Sequence, residues 1–397
     1  MSEGGASYGC PAFVIPEGTN MINVPILRTS ERRSFKRCQA QWWWAYREGL
    51  KPVGSEATPL WFGTGVHLGL AEWYLPGTKR GRHPAETFRE FAGEGLRTIK
   101  VADATEERVA QYEDGAALGV TLLEEYVKHY GTDPKWKFIQ AEQTFSLDIP
   151  WPKSEEGRQS LYEVDSETGL LAVYKGTYDG VYQDLETGRF ELLETKTAKS
   201  IITSHLSLDD QGGSYWAVAT ATLRQMGLIG PKDSISGINY NFLRKALPDD
   251  RPKDAEGYAT NKPVKADYQA ALGIPDHEAR KMKLDYMEDI ARKSKTVVLG
   301  ERSKIQPKPL FHREMVHRTH AERNTQLRRI QDEAIHMQAV RDGILPITKN
   351  PTMDCHRSCA YFSMCELQER QGDWKALRKI AYRQMDPYAD HRKSSDE

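Results

Sequence analysis

The chain has 397 residues, enough for two to three average domains or for one core with long insertions. Its 55 Lys plus Arg against 56 Asp plus Glu leave a net charge of −1, so no global field draws it toward nucleic acid or anionic lipid, and any polyanion site must be a local patch. A mean hydropathy of −0.65, with no apolar run near the roughly 20 residues of a bilayer span, excludes a membrane protein, and MSEGGASYGC lacks the basic and apolar regions of a leader, which points to the cytoplasm.

Pro11, Pro16 and Pro25 predict an irregular arm over residues 1–28. The basic and aromatic stretch from Thr29 to Tyr46 carries no Pro or Gly and predicts one helix. After a turn marked by Pro52, Gly54 and Pro59, LWFGTGVHLGLAEWYL repeats Val66, Leu70 and Trp73 at helical spacing, with His67 and Ala71 on one face. EERVAQYEDGAALGVTLLEEYVKHYG is a long amphipathic helix ending at Gly131. From Trp136 the pattern changes to strands: KFIQAEQTFSLDI, LLAVYKGTYDGVYQD and RFELLETKTAK, the last two joined in a hairpin by the turn Leu185 to Gly188. A helix from Leu208 to Met226, a strand at SGINYNFLRKA and a polar loop from Pro248 to Lys265 follow. The remaining elements are a helix from Asp276 to Arg292, a strand at LFHREMVHRT, a helix from Ala321 to Arg341, a cysteine-bearing segment with a short helix, and a tail over 386–397 expected to be mobile.

Chemistry concentrates in the hairpin. Glu194 and Lys196 are two residues apart on a strand and share a face, and a modest register shift brings Asp179 of the preceding strand beside Glu194. Two carboxylates that close repel unless a cation lies between them, and oxygen ligands suit Mg²⁺ or Mn²⁺. Such an ion polarises a phosphoryl oxygen and generates hydroxide, while Lys196 positions the water or neutralises developing charge. His67, and Gln211 with Tyr215 one helical turn apart, accompany the triad. Glu142 and Glu72 are weaker candidates, read first as surface or structural groups.

This set, in this order, resembles the RecB-like branch of the PD-(D/E)XK nuclease superfamily, which includes CRISPR-associated iron–sulfur exonucleases and phage recombination exonucleases. In that branch a helix-borne His, an Asp, a Glu-x-Lys and a Gln-x-x-x-Tyr helix form the site, matched here by His67, Asp179, Glu194, Lys196, Gln211 and Tyr215. Tyr178 stands where the family name has Pro. The resemblance implies an α/β, restriction-endonuclease-like mixed central sheet flanked by helices, forming a single nuclease domain over residues 29–385. It implies that His67, Asp179, Glu194 and the Thr195 carbonyl hold the metal, that Lys196 is catalytic, and that Gln211 and Tyr215 touch DNA or orient the site.

Of five cysteines, too few for a disulfide scaffold, Cys355, Cys359 and Cys365 fall within DCHRSCAYFSMC and Cys38 lies far upstream, leaving Cys10 over. Four thiolates suit a 4Fe-4S cluster or Zn²⁺, and His356 adds a zinc-compatible ligand. In the iron–sulfur members of the resembled branch such a layout staples the two ends of the nuclease domain, a crosslink worth about 5–6 kcal/mol in the chain-entropy picture.

The expected activity is metal-dependent hydrolysis of DNA from its ends, in phage-type recombination or repair, with DNA as partner, a single-strand annealing recombinase as a further one, and the host cytoplasm as location for a phage-encoded chain. No Walker loop is present, so no ATP-driven motor is expected, and no zinc-finger or basic-zipper reader supplies sequence discrimination. Arg32, Arg33, Lys36, Arg37, Arg244 and Lys245 are candidate phosphate contacts, and Tyr215 or Trp216 a stacking surface. The competing readings are a non-catalytic DNA-binding protein that keeps this fold and a structural metal cluster, and a zinc-stabilised interaction module.

Overall fold

The computed structural model describes residues 24–53, 59–101, 105–152 and 169–389; most of the N-terminal arm, with Cys10, and the tail from residue 390 lie outside them. Strand β1 (Ile26–Leu27) leads to helices α1 (Thr29–Arg37) and α2 (Gln39–Trp42), a π-helical turn (Trp43–Arg47) and β2 (Leu50–Pro52). Helices α3 (Pro59–Trp73), α4 (Pro84–Val101) and α5 (Glu106–Tyr130) precede strands β3 (Trp136–Pro150), β4 (Leu170–Asp184) and β5 (Phe190–Ala198). Helix α6 (Asp210–Gln225) crosses to β6 (Ile235–Arg244), and an insertion with α7 (Lys265–Leu272), α8 (Asp276–Ala279) and α9 (Leu284–Ser294) leads to β7 (Phe311–His317) and α10 (His320–Arg341). Helices α11 (Cys355–Ser358), α12 (Phe362–Glu369) and α13 (Trp374–Ala381) end at β8 (Tyr382–Gln384).

The central sheet runs β3-β4-β5-β6-β7, with β5 and β6 parallel and the other neighbours antiparallel. β4 pairs with β5 only from Gly180 to Gln183, and β1 takes the vacated edge in parallel at Val173 and Tyr174. Both faces are covered. Phe35 of α1, Trp216 and Val218 of α6 and Ile330 and Met337 of α10 pack with Tyr174, Tyr178, Leu192 and Ile238. Val66 and Leu70 of α3, Phe88 of α4 and Leu123 and Tyr126 of α5 pack with Phe138, Tyr182 and Leu193. The glycines of α3 serve this second layer: a Cβ on Gly65 would lie 2.8 Å from the Phe88 ring, and one on Gly69 2.7 Å from the Pro84 carbonyl oxygen. They are helix-crossing residues of α3.

Several elements differ from expectation. The predicted helix from Thr29 to Tyr46 is broken at Cys38, whose extended backbone (φ −166°, ψ 118°) separates α1 from α2. The predicted helix from Asp276 to Arg292 is two, because Lys283 is extended (φ −83°, ψ 155°) between α8 and α9. Helix α4 was not anticipated, although Pro84 at its first turn and buried Ala85, Phe88 and Ala92 on one stripe are its signals; Gly93 and Gly95 blur them.

The two ends of the chain meet. β2 pairs with β8, the Tyr361 hydroxyl donates to the Leu50 carbonyl at 2.6 Å, and Ala40, Trp44, Leu50, Tyr361 and Met364 form a third buried cluster.

Arg32, expected to contact phosphate, is instead wholly buried: its guanidinium reaches Glu333 at 2.6 Å, Ser214 at 2.8 Å and Asp210 at 3.2 Å. Lys36 joins the same two carboxylates, 2.9 Å from Glu333. Burial pushes the Asp210 carboxyl up, but Arg32 and Lys36 outweigh it and hold the group down at about 2. A depressed carboxyl contributes stability above its unfolded value near 4 and loses it as pH falls through about 2. Asp210→Asn is therefore expected to cost about 2 kcal/mol at pH 7 and to flatten the stability profile between pH 4 and 2, read by urea unfolding across that range.

A second buried charge ties β7 to the α3–α5 layer. Arg313 makes a forked pair with Asp133 at 2.6 and 2.9 Å, donates to the Tyr126 hydroxyl at 2.8 Å, and lies over the rings of Tyr130 and Trp136 at 3.5 and 4.1 Å. Arg313→Met leaves Asp133 buried and unpaired, with an expected loss of about 3–5 kcal/mol by denaturant titration.

Candidate active site

Strict alternation would send Tyr178 and Val181 to opposite faces of the sheet, yet both pack in the core shared with α6. The reversal falls at Asp179 and Gly180. In the ladder register (Ala141↔Gly180, Gln143↔Tyr178), Glu142 stands across from Asp179, and its backbone is left-handed at φ 49°. A left-handed non-glycine residue is strained, and such irregularities re-aim side chains where a site needs them.

Here His67 of α3 arrives. Its Nδ1 is 3.3 Å from Asp179 Oδ1 and 3.4 Å from Glu142 Oε1. Among the described residues these three form the one group of His, Cys, Asp or Glu ligand atoms lying within 4.8 Å of one another. Burial opposes a charge on His67, but the Asp179 carboxylate, helped by Glu142, outweighs it and holds the imidazole well above its usual range. Two facing carboxylates thus hold positive charge between them, and one nitrogen and two oxygen donors fit a divalent cation such as Mg²⁺ or Mn²⁺.

The other oxygen of Asp179 reaches β5. Oδ2 accepts the Thr195 amide at 2.7 Å, just beyond the last β4–β5 pair, so the carboxylate replaces a backbone acceptor where the strands splay. On the α6 side of β5, the Lys196 ammonium donates to Glu194 Oε1 at 2.5 Å and to Gln211 Oε1 at 3.0 Å, and the Gln211 amide donates to Glu194 Oε1 at 2.9 Å. Burial pushes the Glu194 carboxyl up to about 7, with Lys196 opposing and Asp179 reinforcing the rise. Lys196 is raised as well: its burial is outweighed by Glu194. Asp209 fixes the start of α6, its Oδ2 accepting the Gly212 amide at 2.8 Å and the Tyr240 hydroxyl at 3.1 Å, and thereby aims Gln211.

His67 and Asp179 therefore meet on one side and Glu194, Lys196 and Gln211 on the other, joined through Asp179 and Thr195. α3 and α6 belong to opposite layers, and the two groups converge because β4 changes face at Asp179. Tyr215 does not reach the carboxylates by a hydrogen bond; its ring is edge-on to Phe145 at 5.5 Å and to Tyr178 at 5.9 Å. Trp216 is buried and donates to the Ile235 carbonyl at 3.1 Å, so it offers no stacking surface. Glu72 bonds Thr87 of α4, a structural tie. Glu142 is the residue undervalued in the sequence; its signal is its place opposite Asp179 once β3 and β4 are paired.

Among the expected phosphate contacts, Arg244 is engaged by the Lys308 and Pro309 carbonyls at 2.7 and 3.0 Å, and Arg37 by Ser358 at 2.7 Å. Arg33 is exposed. Lys245 lies 4.8 Å over the Phe62 ring beside Lys199, where burial and that neighbour lower its ammonium.

Cys38, Cys355, Cys359 and Cys365 are all free thiols and line one cavity of about 380 Å³ between α1 and the C-terminal helices. Cys355 Sγ accepts the Thr352 amide at 3.2 Å. The break at Cys38 belongs to this arrangement, since the residue between α1 and α2 lines the cavity, as do its neighbours Arg37, Ala40 and Gln41.

No helix among the described residues is long and apolar enough to cross a membrane. A comparison with curated proteins finds no match. Among solved structures, a candidate exonuclease from Eubacterium rectale is similar over 78% of this chain and 94% of its own, at 10% identity and a TM-score of 0.29, too low a likeness to add to the argument. The family model of the PD-(D/E)XK nuclease superfamily matches residues 29–366, a span that holds His67, Asp179, Glu194, Lys196, Gln211 and all four cavity cysteines. On that match, the chain belongs to the PD-(D/E)XK nuclease superfamily.

Proposed function

We propose that the chain is a metal-dependent deoxyribonuclease that hydrolyses phosphodiester bonds from DNA ends, in recombination or repair. The observation that carries this reading is the abutment of the His67, Glu142 and Asp179 group on the Glu194, Lys196 and Gln211 group. A divalent ion held by Asp179 with His67 and Glu142 would supply Lewis-acid polarisation and an activated water. Glu194 and the Thr195 carbonyl complete the proposed ligand set. Lys196, kept cationic by Glu194, is poised to stabilise negative charge developing on the phosphate, and Gln211 fixes the position of both side chains.

The four cysteines are proposed to hold a 4Fe-4S cluster that staples the chain ends. The donor chemistry fits, and the cavity has room for a cluster. Zn²⁺ is the alternative occupant for the same four thiolates.

End dependence is tested by comparing end-labelled linear DNA with covalently closed circles, each with Mg²⁺, Mn²⁺ or chelator. The expected result is metal-dependent loss of the linear form alone; circles cut at the same rate would place the activity among endonucleases.

A further inference from the structure

Between β6 and β7 the chain leaves the sheet over residues 245–310. The parallel register sets Lys196 beside Phe242 and Ala198 beside Arg244, so this insertion departs from the end of the sheet where the candidate site lies. It returns to the same place, where the Arg244 amide donates to the Leu310 carbonyl at 2.7 Å and the Lys245 amide to Ala198 at 2.7 Å. In between its ties are internal: Arg302 to Asp254 at 2.8 Å and Glu256 at 2.7 Å, Arg251 to Ser303 at 3.0 Å, Gln306 to the Ala259 carbonyl at 3.0 Å. It is an arm rooted beside the site and closed on itself.

Its longest helix, α9, buries Met287 and Ala291 and turns the other face to solvent. Lys283 and Lys293 are exposed, and Tyr286 between them is 56% exposed. Tyr286 and Lys293, seven residues apart, share one stripe of α9, and Lys283 stands at its N-terminal cap, about 15 Å from Lys293 along the axis. Around the stripe the charge is cationic. From residue 280 to 295, Arg280, Lys281, Lys283, Arg292, Lys293 and Lys295 face only Asp285, Glu288 and Asp289, and Asp289 is occupied by Arg292. In a chain with a net charge of −1 this is a local patch. Cations flanking an exposed aromatic ring suit a nucleic-acid strand, with phosphates for the charges and a base face for the ring.

We propose that α9 is a second DNA contact, in which Lys283 and Lys293 engage phosphates and Tyr286 stacks on a base of the strand outside the site, so that long substrates bind more tightly than short ones. This rests on the nuclease reading for its choice of partner. The test uses the full chain, its K283E/K293E double variant and its Y286A variant, with labelled 20-nucleotide and 6-nucleotide single strands. Affinity is measured in chelator across a salt series, and hydrolysis of both strands in Mg²⁺. Expected are roughly tenfold weaker binding of the 20-mer by the double variant and a log Kd against log salt slope shallower by about 1.4, two contacts at about 0.7 each. Y286A should weaken 20-mer binding without changing the slope, and 6-mer hydrolysis should be equal in all three proteins. Unchanged 20-mer binding and slope in the double variant would overturn the proposal, as would failure of the unaltered protein to bind the 20-mer. Loss of binding in the variants, with no hydrolysis of either strand by the unaltered protein, would sustain the arm and overturn the nuclease reading instead.

Discussion

Lys196→Ala is expected to lower DNA hydrolysis by roughly 10³-fold, the scale for removing a donor aimed at developing charge, while leaving the fold and DNA affinity nearly intact. The fold survives because the group left behind can neutralise itself. Burial already lifts the Glu194 carboxyl to about 7 with Lys196 beside it, so without the ammonium the carboxyl takes up a proton and remains bonded to Gln211. Affinity is expected to survive because candidate phosphate contacts lie on other cations, such as the exposed Arg33. Hydrolysis rates and polarisation binding on the same labelled strand check both halves. A variant within threefold of the unaltered rate would remove Lys196 from the chemistry, and a variant that fails to fold would contradict the account of Glu194.

Cys38→Ala is expected to lower stability together with metal content. Among the described residues it removes the one cavity thiol contributed by the N-terminal segment, so the proposed link between residues far apart in the chain would be lost along with the proposed cluster. The expected loss is roughly 2–5 kcal/mol, the range for a lost native crosslink, together with brown colour and iron content. The ends should stay associated, because β2 still pairs with β8 and the third buried cluster remains. Metal analysis and thermal unfolding of anaerobically purified protein are the checks. One zinc and no iron in the unaltered protein would overturn the cluster but keep the staple, and unchanged stability in the variant would remove both.

The hairpin that carries Asp179, Glu194 and Lys196 was legible because period-two patterning and the turn at Leu185 to Gly188 are local properties. The helices bearing His67 and Gln211 were legible for the same reason. Glu142 was not, because its role depends on the register between β3 and β4 and on a left-handed backbone opposite Asp179, neither of which any local pattern encodes. Arg32 was misread for a related reason. A basic run looks solvated until the carboxylates of Asp210 and Glu333, supplied by α6 and α10, are folded onto it. The break at Cys38 escaped helix propensity because a tertiary demand, a thiol facing a cavity shared with the C-terminal helices, overrides the local preference.

Whether His67, Glu142 and Asp179 hold the ion beside Lys196 is read by anomalous diffraction from crystals soaked in Mn²⁺. One strong peak enclosed by these three side chains is expected, lost in Asp179→Ala and weakened in Glu142→Ala. A peak bound elsewhere, or a peak that persists in Asp179→Ala, would contradict that assignment.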